Sequence, residues 1–382
     1  MPITPSARLV GALLCACLLA AAALLAQSTQ ASTRTRAVAA TGGAPALHVS
    51  GNGLFTAHGR RVVLHGVNRP GGQSQCVYGH GIWNGPMDQA SVTAMKSWGV
   101  NAVRVPLNEA CWNGESYVKS AYRGVNYRRA VDAYVQLLNR NGIVAILDLH
   151  WTDGLYTGKH AHCKTTTEAL CQKPMPDVAQ SIPFWISMAR TFKANNAVIF
   201  DVFNEPFPER VAGATQPWRC WLRGGGFCTG IGYGYEAAGM QSLVTAIRST
   251  GARNVILLAG VQYANDLSGW LTHAPRDPDH NLAASWHFYP WNACNAASCW
   301  KQQVAPVIAR VPVVADEFGE TNCADNWIGP LMRWLDARST GYLAWAWNAS
   351  WTCTAGPSLI TSYNGSPTAY GAGYRAHIRL LR

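Results

Sequence analysis

Val198-Ile199-Phe200-Asp201-Val202-Phe203-Asn204-Glu205-Pro206 is an apolar, β-branched run that ends on a carboxylate. Val311-Pro312-Val313-Val314-Ala315-Asp316-Glu317-Phe318-Gly319-Glu320 repeats the arrangement. Continuous apolar runs of this length suit strands buried on both faces, and a Glu at the end of such a strand sits at the rim of a sheet, where sites in α/β folds are found. Similar runs occur at Val62–Val67, Ala102–Val105, Ile143–Leu149, Val255–Ala259, Leu282–His287 and Tyr342–Trp347. Helical patterns separate them, among them Val125–Asn139, Ile182–Phe192, Tyr235–Arg248 and Trp327–Arg338. Eight buried strands alternating with helices predict a parallel sheet closed into a (β/α)8 TIM barrel. The rival, an open doubly wound sheet, lacks a G-x-G-x-x-G after its first strand. A short hairpin over Val49–Val62, turning at Gly51-Asn52-Gly53, precedes the barrel.

The chain of 382 residues is 48% hydrophobic and only 13% charged, so it can bury a large core. Residues 1–31 read as an export signal: Arg8 precedes an uncharged apolar run from Leu9 to Ala26, and a small-residue cleavage site lies near Ala31. An uncleaved membrane anchor is the other reading of that run. Residues 32–45 read as a flexible Ser/Thr/Ala/Gly-rich linker, and residues 46–382 as one catalytic domain. A secreted or periplasmic protein is expected. Without Cys15 and Cys17 ten cysteines remain, an even number suited to disulfides. Spacing does not fix their connectivity. Nearest-neighbour pairing (Cys76/Cys111, Cys163/Cys171, Cys220/Cys228, Cys294/Cys299, Cys323/Cys353) would staple five separate loops. A zinc cluster is disfavoured, because no C-x-x-C occurs and His160-Ala161-His162-Cys163 is poor ligand spacing. The net charge of +11 is spread along the chain, with no block of like charges to serve as a nucleic-acid arm.

Polar residues at the C-terminal ends of the eight runs should face one cleft. They are Arg104, His150, Asn204 with Glu205, His287 with Tyr289, Glu317, and Trp345 with Trp347. Two carboxyls across one cleft are the equipment for breaking a glycosidic bond. Tryptophan offers a face to a pyranose ring, and Arg, His and Tyr can hold carboxyls in different protonation states. Trp218 and Trp221, in the long insertion after the fourth strand, either line sugar subsites or pack beneath their own loop. The insertions after strands three and four each carry a cysteine pair. In a barrel they stand on the catalytic face.

Over about Leu47 to Tyr374 the chain resembles glycoside hydrolase family 5, the cellulase family. The matching motifs are Leu64-His65-Gly66-Val67-Asn68, Asn101-Ala102-Val103-Arg104-Val105-Pro106, Asp148-Leu149-His150, Phe203-Asn204-Glu205-Pro206, His287-Phe288-Tyr289 and Asp316-Glu317-Phe318-Gly319. The resemblance implies a retaining enzyme with Glu205 as acid/base and Glu317 as nucleophile. Asn204 would bind the sugar 2-hydroxyl, Arg104 and Tyr289 would orient Glu317, and His150 and His287 would contact substrate or support the acid. Trp345 matches the family's cleft tryptophan, with Trp347 expected on the same strand face. No metal or organic cofactor is implied. The expected partner is a β-linked polysaccharide or oligosaccharide, not nucleic acid, and the expected state is a monomer. Endo-1,4-β-glucanase is the default activity; exo-acting β-glycosidase, mannanase, β-1,3-glucanase and a non-catalytic carbohydrate-binding barrel are the alternatives. Esterase and peptidase chemistry lack support, since neither G-x-S-x-G nor H-E-x-x-H occurs. Asp316 and Glu320 depart from the family pattern: many relatives carry Gly at the position before the nucleophile.

Overall fold

The computed structural model describes residues 42–155, 168–210, 216–228 and 234–381. The signal and anchor readings, the linker up to residue 41, and His160, His162 and Cys163 lie outside the described residues. The linker's last residues are already pinned: the Ala44 amide donates to Asn139 O at 2.7 Å.

Eight parallel strands close a barrel in chain order: β4 (His65–Asn68), β5 (Ala102–Asn108), β6 (Val144–Trp151), β7 (Val198–Asp201), β8 (Ile256–Ala259), β9 (Leu282–Phe288), β10 (Val313–Phe318) and β11 (Gly341–Ala344). Three antiparallel strands precede them: β1 (Leu47–Ser50), β2 (Gly53–Thr56) and β3 (Arg61–Val62). The run expected as one strand over Val62–Val67 is therefore divided. Its first residue closes the N-terminal sheet, and the barrel strand begins at His65.

The barrel interior has two chemistries. Its lower part is filled by Ala102, Ile146, Ile199, Leu257, Ala283, Val314 and Leu343, which pack with Leu47 and Leu54 of the N-terminal sheet. The small sheet thus plugs the barrel from below, each buried Leu contributing about 1.5–3 kcal/mol. Two residues further along the same strands, on the same face by strand periodicity, stand Arg104, Asp148, Asp201, Ser285 and Asp316. Apolar packing gives way to a polar layer directly beneath the carboxylate rim.

Outside the sheet, amphipathic helices cover the strands. The Val125–Arg140 helix buries Tyr127, Val131, Tyr134, Val135 and Leu138, one stripe at helical spacing. The Gln89–Trp98 helix starts where the Asp88 side chain accepts from the Ser91 amide, and it stops at Gly99 in the left-handed region. The helix expected from Tyr235 begins only at Met240. Ala237 and Ala238 instead bridge Asp177 and Gly224, tying the strand-four insertion to neighbouring loops.

Four of the expected disulfides are formed: Cys76–Cys111, Cys220–Cys228, Cys294–Cys299 and Cys323–Cys353. Cys171 is disulfide-bonded as well. All of these cysteines lie in segments following barrel strands, on the face that carries the carboxylate rim. Cys76–Cys111 ties the loop after β4 to the one after β5, and Cys323–Cys353 ties those after β10 and β11.

At Gly66 in β4 a Cβ would lie 2.0 Å from the Ala102 carbonyl oxygen of β5, in the backbone ladder that closes the barrel. Gly66→Ala should cost more than about 3 kcal/mol, beyond ordinary overpacking. Gly226→Ala, which meets nothing within 4 Å, should leave the melting temperature unchanged. Thermal melts of the two variants check this.

Candidate active site

The site is organised around Arg104, which leaves β5 for the barrel axis and is fully buried. It makes four hydrogen bonds and one further close ion-pair contact, with Asp148. Nε donates to Asp201 Oδ2 at 2.8 Å, Nη1 to Asn68 Oδ1 at 3.1 Å and to Glu317 Oε2 at 3.0 Å, and Nη2 to Asn204 Oδ1 at 2.8 Å. Asp148 Oδ2 lies 3.1 Å from Nη2. One cation therefore serves the ends of β4, β6, β7 and β10. Asp316 Oδ2 comes only to 3.6 Å from Nε and has no hydrogen-bond partner.

Glu317 is 6% exposed. It accepts from Arg104 on Oε2 and from the Tyr289 hydroxyl on Oε1 at 2.8 Å. Donors on both oxygens fix its orientation and suit the ionised form. Glu205 has a different setting. Its Oε1 is 2.9 Å from Nδ1 of the buried His287, and the side chain keeps 26% of its surface open to the cleft. Desolvation pushes its pKa up to about 7, offset in part by His150 and Arg104. An oxygen of Glu205, one of Glu317 and a His287 ring nitrogen lie within 4.8 Å of one another. So close an approach of one oxygen from each carboxyl fits the short spacing of a retaining pair (~5–5.5 Å between carboxyls) rather than the ~6.5–9.5 Å of an inverting one.

His150 is held by Asp148, Nδ1 to Oδ2 at 2.6 Å, and its ring stacks on Trp345 with centroids 5.5 Å apart. Burial lowers the pKa of both His150 and His287 to about 4, so both rings are neutral near pH 7. Trp345 reaches the cleft, whereas Trp347 does not. β11 stops at Ala344, so the alternation expected to put both tryptophans on one face ends before either is reached. Trp347 is fully buried, with its ring 4.8 Å from Trp98 in an edge-on contact. It is core. Trp221 is also core, donating to Ala259 O at 2.9 Å, and Trp218 packs edge-on against it.

The cleft has two lobes that share Glu205. One cavity, of about 530 Å³, holds Glu317, Tyr289, Trp345, Trp291 and Tyr263. The other, of about 260 Å³, holds His150, Trp151, Asn204, Gln172 and Tyr263. Trp291 stacks on Tyr289 and is 61% exposed, presenting a free aromatic face.

Several residues here escape sequence reasoning. Asn68 joins Arg104 to the backbone of Asp316, donating to its carbonyl oxygen at 2.8 Å. Asp148 and Asp201 stood inside quoted motifs without an assigned role. Gln172 comes from the insertion after β6. Its Oε1 accepts from Asn204 Nδ2 and the Glu205 amide, and its Nε2 donates to Glu205 O. Its neighbour Cys171 was the only available signal. Glu320 turns away to accept from the Trp327 amide at 3.0 Å. Asp316, by contrast, faces the barrel axis.

A profile described as Cellulase (glycosyl hydrolase family 5) matches residues 56–350. The chain is 22% identical over 298 residues to a β-mannanase/endoglucanase A from Caldicellulosiruptor saccharolyticus, covering 75% of this chain and 19% of that protein. It is 23% identical over 333 residues to an endoglucanase from Paenibacillus polymyxa, covering 81% of each. Among solved structures, a β-glucanase from Saccharophagus degradans in complex with cellotetraose superposes with a TM-score of 0.66 at 19% identity, covering 88% of this chain and 94% of that one.

Arg104→Met should strip the cation from four carboxyl groups, costing about 3–5 kcal/mol, and should abolish activity. Arg104→Lys cannot reproduce the fork and should recover little of either. Chemical denaturation alongside turnover checks both. The buried titratable groups of the site, with Glu109 and His65 elsewhere in the barrel, also set a pH dependence of stability. Asp148 and Glu205 have folded pKa values of about 7, and Glu109 of about 8, all above ordinary carboxylates. Each holds a proton in the fold that the unfolded chain releases, so stability falls as pH rises through these values. His65, His150 and His287, lowered to about 4 from 6.5, act oppositely but only below 6.5. Between pH 6.5 and 8 the carboxyls prevail, and the melting temperature should decline.

Proposed function

The chain belongs to glycosyl hydrolase family 5, and from the geometry of its cleft we propose that it is a retaining endo-β-1,4-glucanase in which Glu205 is the acid/base and Glu317 the nucleophile. The observation that carries this assignment is the unequal treatment of two carboxyls at short range. Glu317 takes a charged donor and a phenol, whereas Glu205 meets a neutral imidazole in a desolvated wall. An acid that must hold a proton and a nucleophile that must be anionic need such different surroundings.

In the first step a Glu317 oxygen attacks the anomeric carbon while Glu205 delivers its proton to the departing glycosidic oxygen. The C–O bond breaks and a glycosyl ester forms on Glu317. The leaving sugar departs, and water takes its place. Glu205, now a carboxylate, removes a proton from that water as it attacks the anomeric carbon and frees Glu317. Esterification deletes the Glu317 charge, which makes ionised Glu205 easier to hold. Asn204, fixed by Arg104 and Gln172, is the donor for the sugar 2-hydroxyl. Trp345 and Trp291 supply pyranose platforms.

Internal cleavage of a β-glucan is supported by the two lobes flanking Glu205, which give room for sugars on both sides of the scissile bond. The likeness to a protein described as both mannanase and endoglucanase makes β-mannan the second substrate to test. We extend the proposal to export, supported by the apolar run Leu9–Ala26 after Arg8 and by the disulfide-bonded loops.

Product chromatography on β-glucan, glucomannan, mannan and xylan should show a ladder of oligosaccharides from glucan, lost in Glu317→Gln. Accumulation of a single short product would favour exo action. Glu205→Ala should lose about 10²–10⁴-fold on polysaccharide and regain turnover of an activated aryl glycoside when azide replaces the water nucleophile. The basic limb of the kcat/KM profile should fall near pH 7, because activity needs Glu205 protonated and its pKa is about 7. Failure of azide rescue would remove Glu205 from the acid/base role.

A further inference from the structure

His287 has two ring nitrogens and only one settled partner. Nδ1 lies 2.9 Å from Glu205 Oε1 and 4.0 Å from Glu317 Oε2. Nε2 is buried with no hydrogen-bond partner, and the facing group is Asp316 Oδ1 at 3.6 Å. Asp316 is fully buried, and its Oδ1 also receives the Ser285 hydroxyl at 2.6 Å. A buried polar atom left unpaired costs about 1–3 kcal/mol, so a movement of half an ångström that joins Nε2 to Oδ1 is favoured, provided one of the two carries a proton and the other does not.

Strand periodicity from Val314 places Asp316 there, and Glu317 is brought to the same side by a bulge in β10. Its pairing shifts register between Val314 and Glu317 against β9, and between Ala315 and Phe318 against β11. In a regular strand Asp316 and Glu317 would point to opposite faces. With the shift, both consecutive carboxyls turn to the barrel axis, Glu317 in the cleft and Asp316 beneath it.

We infer that Asp316 is a positioning residue that carries a proton, donates it in a hydrogen bond to His287 Nε2, and thereby keeps His287 in the tautomer whose Nδ1–H points at Glu205. In that tautomer Oε1 of Glu205 is committed as an acceptor both before and after proton transfer, so the catalytic proton resides on Oε2. If Asp316 were ionised, Nε2 would carry the ring proton. Nδ1 would then become an acceptor, and the Glu205 proton would be held on Oε1 against the imidazole.

The charge inventory selects the first arrangement. The groups facing His287 are Glu205, Glu317, Asp316, Asp201, Arg104 and His150. All four hydrogen bonds of Arg104 go to acceptors other than Asp316, and its remaining close contact is with Asp148. Burial, with Asp201 close by, raises the pKa of Asp316 well above the ordinary carboxylate value. Asp316 is thus the acid in the cluster that no charged group hydrogen-bonds, with only the Ser285 hydroxyl donating to it, and it stays neutral.

The inference rests on Glu205 being the acid/base, and the test separates the two. Nitrogen-15 NMR of the His287 ring near pH 6 reads the tautomer directly. Asp316→Asn, whose amide can still donate to Nε2, should keep the wild-type signature and most of the activity. Asp316→Ala should populate the other tautomer. It should also slow polysaccharide cleavage by about 10–100-fold, part of what a general acid supplies. Turnover of a dinitrophenyl glycoside, whose leaving group needs no proton, should change by less than about threefold. Equal loss on both substrates would mean a structural role and overturn the proposal. Azide rescue of Glu205→Ala combined with a wild-type tautomer in Asp316→Ala would overturn the positioning role alone.

Discussion

One guanidinium in the middle of a closed barrel governs the upper half of this molecule. Arg104 is the only cation reaching Asp148, Asp201, Asp316 and Glu317 among the described residues. Four acids cannot all ionise against one buried charge, since each additional anion must bear its own desolvation. The result is an ordered hierarchy. The carboxyls that receive good donors stay ionised more readily, and those left out keep their protons. Geometry decides which is which, because the guanidinium fork is planar and its five donors are already directed.

This arrangement explains why the lower barrel must be so plainly apolar. A polar layer held by one cation has no tolerance for water entering from beneath. The N-terminal strands, with Leu47 and Leu54 packed on Leu64, Ile146 and Leu343, shut that route. At the other end the segments that shape the cleft are cross-linked as well as packed, with Cys76, Cys111, Cys220, Cys228 and Cys294 buried in the outer core. Cys76–Cys111 and Cys323–Cys353 each join the loops of neighbouring strands. Cross-links limit what those loops can explore once unfolded, and in the fold they keep the walls of the cleft in register with its floor. Packing alone closes one end, and packing reinforced by covalent bonds holds the other.

What was legible in the sequence follows from what has a local signature. All eight strands announced themselves as apolar runs, because each is buried on both faces. The two Glu residues stood out for the same reason, as charges at the ends of such runs. Their separation and their unequal partners did not, since these depend on Arg104, Tyr289 and His287 arriving from other strands. Trp347 was misplaced because strand periodicity was extended past the point where the backbone stops being a strand. Asp316 was ambiguous because a bulge has no signature in residue type, and only the register shift shows that two adjacent acids face the same way. Gln172 could not be found at all. Its role depends on where a long insertion folds back, and nothing in its neighbours except Cys171 marked the segment.

The proposed division of labour between the two glutamates is therefore a property of the layer beneath them. Glu317 sits at the edge of Arg104's reach and accepts from it directly. Glu205 sits beyond that reach, tied only to an imidazole whose own charge is suppressed by burial. In the proposed mechanism, esterification of Glu317 takes one anion from Arg104, and the balance beneath the cleft tips toward ionisation of whichever carboxyl releases its proton most easily. Glu205, open to the cleft and to the incoming water, is the one so placed. Asp316, sealed under His287 and bonded to Ser285, has no route to release its proton. A neutral acid in that position adds nothing to the charge the cation must offset, and it still gives the imidazole a partner. That is how a barrel can keep an extra carboxyl beside Glu317 without adding a second buried charge there.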